Sequence, residues 1–155
     1  MEDLNEEYTP GWKFNQWELK GVPLRIEIGP RDLANKQVVL ARRDNHERIV
    51  VKEDSLVKKV KEVLISIQDN LFKRAKDWLE ANTHDAKNME EFLKWVEKGG
   101  FIRAPWCEGQ DCEIIIKERT GADVRAIPLV RRRPNLNCIV CNKPAKTIAY
   151  FARAY

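Results

Sequence analysis

Four cysteines are the residues whose spacing speaks most directly of chemistry. Cys107 and Cys112 bracket four residues in "CEGQDC", Cys138 and Cys141 bracket two in "CIVCNKP", and 25 residues separate the pairs. Two close pairs at that separation can bring four thiolates around one tetrahedral Zn²⁺, each pair on its own turn. Gly109 is expected to let the first turn fold back. Two disulfides, or four buried thiols, are the alternative. The acidic N-terminus "MEDLNEEY" lacks a basic-then-apolar export pattern, so a cytosolic setting is expected, where structural disulfides are rare. Four cysteine ligands leave no position for water, so the expected ion is structural, not catalytic.

A second grouping lies in "PLRIEIGPRD". Leu24, Ile26 and Ile28 alternate with Arg25 and Glu27, so the apolar set is expected on the core and Arg25 and Glu27 outward. Arg31 follows, Arg42 and Arg43 end a nearby strand, and Phe14, Trp17, Glu18 and Lys20 precede it. These are the parts for reading an unstacked guanine. A carboxylate accepts from its Watson–Crick N–H groups, a guanidinium donates to O6 and N7, and an aromatic face stacks on the ring. On composition alone, such an alternation is more often solvated or paired across strands. The basic cluster "VRRRP" at 130–134 suits phosphate contacts or a solvated loop equally.

The sequence offers little for catalysis. His46 and His84 have no carboxylate or nucleophile at a suggestive spacing and are expected at the surface. Glycine-rich phosphate loops, Ser-His-Asp arrangements and HExxH are not found.

The elements that must position these residues follow from composition and period. At 155 residues, 43% of them hydrophobic and with five tryptophans, the chain is expected to pack one core or two small ones. No apolar run reaches the roughly 20 residues that cross a bilayer. The net charge of +4 hides an asymmetry. Residues 1–8 hold four acids and no base, leaving 28 basic against 20 acidic residues from Thr9 onward, which suits a phosphate-bearing partner or a soluble domain with surplus surface Lys and Arg equally. "TPGWKFNQWELKG" reads as a short helix or irregular segment. "PLRIEIG", "QVVLARRD" and "ERIVVKE" read as strands, the last two joined by a turn at Asp44-Asn45. From a Ser55 N-cap to about Asn82, Leu56, Val60, Val63, Leu64, Ile67 and Leu71 mark one helix face. A second helix spans about Asn88 to Glu97 and stops at Gly99-Gly100. "FIRAPW", "VRAIPLV", "NCIVC" and "TIAYFARAY" resemble strands, and "EIIIKERTG" is helix or strand. The expected fold is α/β or α+β, with a small mixed unit followed by a strand-rich metal module.

At this point "TPGWKFNQWELKGVPLRIEIGPRD", "QVVLARR", the four cysteines and the terminal "FARAY" resemble the C-terminal part of prolyl-tRNA synthetases of the archaeal and eukaryotic-like type, over Thr9 to Tyr155. The resemblance implies a class IIa anticodon-binding-like mixed sheet with helices, then a small zinc domain. The implied division is an acidic tail at 1–8, a partial anticodon-binding domain at 9–84 and a C-terminal zinc-binding domain at 85–155. It implies Glu18 and Arg25 on guanine edges of the proline anticodon, Phe14 stacking, and Arg31 and Arg43 as further contacts. It implies structural Zn²⁺ on Cys107, Cys112, Cys138 and Cys141, and a Tyr155 carboxylate directed toward a catalytic domain. Where some relatives place a lysine facing the anticodon loop this chain has Glu47, so that contact is not carried over. The implied partners are the anticodon stem-loop of proline tRNA and a synthetase catalytic domain, in cis or in trans. The class II catalytic motifs are not found, nor is the strand–helix–strand that relatives place before "TPGWKF". No aminoacylation is therefore expected from this chain alone, and part of the sheet's apolar face is expected to be open, for a partner or a second copy to cover. The competing expectations are a free-standing RNA-binding or regulatory protein and a purely structural interaction domain.

Overall fold

The computed structural model describes residues 3–5, 7–130 and 133–154. The chain divides into two compact units, Met1–Ala75 and Lys76–Tyr155.

The first unit opens with α1 (Pro10–Leu19). Proline suits the first helical turn, and the Thr9 hydroxyl accepts the Trp12 N–H at 3.4 Å. The helix ends before Gly21, whose φ of 85° is costly for residues bearing a Cβ. β1 (Leu24–Glu27), the short α2 (Pro30–Ala34), β2 (Gln37–Arg42) and β3 (Arg48–Lys52) follow. The three strands form an antiparallel sheet in the order β1-β2-β3, and the loop between β2 and β3 turns through His46 at φ 61°. α3 (Leu56–Ala81) comes next and runs through the boundary between the units.

Register assigns the two faces of this sheet. Ile26, Leu40 and Ile49 stand abreast, as do Val38 and Val51, and α3 covers them with Val63 and Ile67. Arg25, Ala41 and Arg48 stand abreast on the other face, beside Glu27, Val39 and Val50. The apolar alternation of β1 thus points as expected, but its cover is incomplete. Ile26 is 47% exposed and Ile28 57%.

The second unit holds β4 (Thr83–Asp85), α4 (Met89–Lys98), β5 (Phe101–Trp106), α5 (Gln110–Thr120), β6 (Ala122–Ala126) and β7 (Thr147–Arg153). Its four-stranded sheet runs β4-β5-β7-β6, with β4 and β5 parallel and the other pairs antiparallel. Asn88 caps α4 by accepting the Glu91 N–H at 2.9 Å, and Gly99 and Gly100, both at positive φ, end it. Phe92, Val96, Ile102, Trp106, Ile116 and Phe151 form the core, with Phe92 edge-on to Phe151 at 5.3 Å.

Several local expectations are corrected. Ser55 does not cap α3. It sits in a single 3₁₀ turn, Glu53–Ser55, and its hydroxyl donates to the Lys52 carbonyl at 3.1 Å. "NCIVC" is a turn closed by an isolated bridge between Asn137 and Pro144, not a strand. "EIIIKERTG" resolves to α5, and "VRAIPLV" keeps a strand only to Ala126. "TIAYFARAY" supplies β7, which lies between β5 and β6. α2 and β4 were too short to leave a periodic signal. No helix among the described residues is long and apolar enough to cross a membrane.

Candidate nucleic-acid interface and metal centre

The cysteines converge. Cys107 follows the last residue of β5, Cys112 lies in the first turn of α5, and Cys138 and Cys141 occupy the turn before β7. Backbone bonds fasten that turn to β5. The Ile139 N–H donates to the Pro105 carbonyl at 3.1 Å, and Lys146 N–H to that of Trp106 at 2.9 Å. The turn closes on itself through Cys138 N–H to Lys143 O at 2.8 Å, with Asn142 at φ 56°. The fold-back at 107–112 works differently from the expectation. Glu108 takes the positive φ, 60°, while Gly109 has an ordinary φ of −84°. Space is tight at 109, since a Cβ there would lie 3.2 Å from Cys107 Sγ.

All four Sγ atoms lie within 4.8 Å of one another, with Cys107 3.5 Å from Cys112 and 3.7 Å from Cys141. These are free thiols, well beyond the ~2 Å of a disulfide. An ion holding four sulfurs at about 2.3 Å has tetrahedral edges of about 3.8 Å, so the set fits a bound metal. Burial pushes the Cys107 and Cys112 thiols up, whereas donation from the Lys143 N–H holds Cys141 down at about 7. Deprotonating thiols held this close together needs a cation to balance the charge.

On the first unit, α1 folds over the polar face of β1. Phe14 and Glu18, one helical turn apart, both meet Arg25. The guanidinium carbon lies 4.3 Å from the centre of the Phe14 ring, and Nη1 donates to Glu18 Oε1. On its other edge, Nε and Nη2 donate to Glu27 Oε1 at 3.3 and 3.2 Å. Three of the five guanidinium N–H groups are thereby used, leaving one on each terminal nitrogen without a partner among the described residues. The expectation that Arg25 and Glu27 stand out in solvent is corrected. Their side chains are only 18% and 16% exposed, because α1 covers them and they pair with each other.

The other candidates separate. Arg31 is exposed on α2, and no hydrogen bond or ion pair among the described residues joins it to this group. Arg43 is half-buried just past β2, and its Nε is buried without a hydrogen-bond partner among the described residues. Arg42 is structural. It forks onto Asp44 at 3.0 and 2.7 Å, and Asp44 also accepts from Asn70 at 2.6 Å. His84 stacks on Trp95, with ring centres 4.0 Å apart, and His46 is exposed in the hairpin loop. Arg131, Arg132 and Tyr155 lie outside the described residues, so the tail's expected docking role and most of the "VRRRP" cluster do too.

Sequence reasoning grouped Glu27 with Arg25 but missed Arg48. It stands in the row of Arg25, two strands away, and donates to both Glu27 oxygens. The signal was present in the pairing of β2 with both neighbours, which sets Arg25 and Arg48 on either side of Ala41.

Comparison with known proteins agrees with this division. Residues 2–63 match the family model described as an anticodon-binding domain, and residues 89–155 match that of the prolyl-tRNA synthetase C-terminal domain. Curated proline–tRNA ligases are similar over nearly the whole chain. That of Natranaerobius thermophilus is 46% identical over 157 residues, 99% of this chain and 32% of the relative. That of Ruminiclostridium cellulolyticum is 43% identical over all of this chain and 32% of the relative. That of Oceanobacillus iheyensis is 45% identical over 94% of this chain and 30% of the relative. The chain spans about a third of the length of these relatives. It therefore carries an anticodon-binding domain. Joined to the second domain, it is a module of a prolyl-tRNA synthetase.

Proposed function

We propose that this chain reads the proline anticodon on behalf of a prolyl-tRNA synthetase of the archaeal and eukaryotic-like type, acting in the cytoplasm. The observation that carries this reading is Arg25, stacked on Phe14 with one N–H free on each terminal nitrogen. Guanine O6 and N7 accept that pair of donors. Glu18 spends one oxygen on Arg25, and its other oxygen is left to accept from a base N–H. Phe14 supplies the apolar face against which an unstacked base can lie. Arg31 and Arg43 serve as outer contacts to the loop.

The second unit holds structural Zn²⁺ through Cys107, Cys112, Cys138 and Cys141. The four-sulfur donor set supports this choice of ion, as does the way both loops are built around the thiols. A catalytic domain, joined in cis or in trans, carries the aminoacylation.

Binding of the anticodon stem-loop of proline tRNA, against a loop whose two anticodon guanines are adenines, tests the reading at one fixed salt concentration. At least about tenfold tighter binding of the guanine loop is expected. Equal binding would overturn it.

A further inference from the structure

The Arg25 group contains a residue with no place in base contact as described so far. Glu27 accepts four hydrogen bonds from guanidinium groups, where Glu18 accepts one. Its Oε1 accepts from Arg25 Nε and Nη2 at 3.3 and 3.2 Å, and from Arg48 Nη1 at 3.3 Å. Its Oε2 accepts from Arg48 Nη2. Exposure grades across the set, from 16% for Glu27 through 18% for Arg25 to 56% for Arg48. Glu27 is thus a half-buried carboxylate held by two arginines, one inward and one at the surface.

We infer that Glu27 is a positioning residue that sets the base-reading orientation of Arg25, with Arg48 locking Glu27 in place. This rests on the anticodon-reading proposal above. The argument is one of division. Arg25 has two carboxylates in reach, and an unconstrained guanidinium would fork onto one of them with two parallel bonds. Forked onto Glu18, it would take both oxygens of the one carboxylate left to receive a base. By accepting from the Nε and Nη2 edge, Glu27 leaves a single bond to Glu18 and keeps the outer N–H of each terminal nitrogen free. The bidentate grip of Arg48 fixes the Glu27 rotamer, so Arg25 does not have to order its own counter-ion when a base arrives. Lowering that reorganisation is how a supporting residue sharpens discrimination without touching the ligand.

The test is a cycle of four proteins: wild type, Glu27→Gln, Arg25→Ala and the double variant. Each is titrated with the guanine stem-loop and with the adenine-substituted loop. Glu27→Gln keeps size and one acceptor oxygen but loses the charge. It is expected to reduce the guanine-to-adenine affinity ratio about fivefold or more, with binding to the adenine loop unchanged. In the Arg25→Ala background the same substitution should have no further effect on the ratio. The Arg25 Nε–H resonance of the free protein should move upfield in Glu27→Gln, as a charge-assisted bond becomes a neutral and weaker one, a readout that general destabilisation would not single out. Glu27→Asp, which withdraws the charge by one methylene, is the second variant if Glu27→Gln proves poorly folded, and should give an intermediate ratio. A Glu27 variant that keeps the wild-type ratio while Arg25→Ala loses it would overturn the positioning role alone. So would an equal loss from Glu27→Gln in both backgrounds. An Arg25→Ala protein that still discriminates would overturn the anticodon reading and this inference together.

Discussion

Ile26 and Leu40 are direct cross-strand partners on the same face of the first sheet, yet Leu40 is fully buried and Ile26 is 47% exposed. The difference lies in what covers them. α3 lies over β2 with Val63 and Ile67, while β1 is an edge strand. Leu40→Ala is therefore expected to cost about 2–5 kcal/mol, the usual range for emptying a closed site. Ile26→Lys should cost under about 0.5 kcal/mol. Native-state hydrogen exchange of the β2 amides measures both.

Asp44 ties the β2–β3 loop to α3, and its side chain is 1% exposed. The Arg42 hydrogen bonds hold its carboxyl at about 2, below the 3.8 of a free group, with Asn70 adding a further donor. A lowered folded value means that this stabilisation is complete above about pH 4 and is lost as pH falls from about 4 through 2. It amounts to about 2 kcal/mol. Asp44→Asn leaves Arg42 buried without its main counter-charge and should cost about 3 kcal/mol at neutral pH. An acid titration followed by hydrogen exchange should show the wild-type loss in that window and a flatter profile for the variant.

The metal account predicts that one zinc ion per chain is found by elemental analysis, and that chelation removes the protease resistance of the second unit. Cys138 is 3% exposed in the turn that docks on β5, so Cys138→Ser should have the same effect as chelation. A Cys138→Ser protein that stays protease-resistant and metal-free would contradict the structural role.

Gly109→Ala is a finer probe of the same centre. The backbone conformation suits alanine, but the added Cβ would meet Cys107 Sγ at 3.2 Å. The thiol must shift by a few tenths of an ångström, which should weaken the site by about 1 kcal/mol. Competition with a chromogenic chelator reads this as earlier metal loss than from wild type.

Much of this was legible in the residues. Alternation in β1 separated Arg25 and Glu27 from Leu24, Ile26 and Ile28, and the register bears that out. It could not show that α1 folds over the polar face, because that depends on the chain's reversal at Gly21 and on Phe14 and Glu18 finding Arg25. The cysteine spacing implied convergence, which the four Sγ positions show. It did not reveal that "NCIVC" is a turn, since Ile139 and Val140 mimic a strand while the backbone is bonded across to β5. Ser55 misled for a related reason. Its hydroxyl donates back to the Lys52 carbonyl, and no hydrogen bond to it from an α3 N–H is found among the described residues.

The central claim is that Arg25 reads guanine, and its most direct test is the guanine-to-adenine affinity ratio of the proline anticodon stem-loop, for wild type and Arg25→Ala at one fixed salt. The account predicts a wild-type preference for guanine that Arg25→Ala reduces by about 1–3 kcal/mol, with the weaker adenine-loop binding little altered. Equal ratios for the two proteins, or a uniform weakening of both loops, would contradict it.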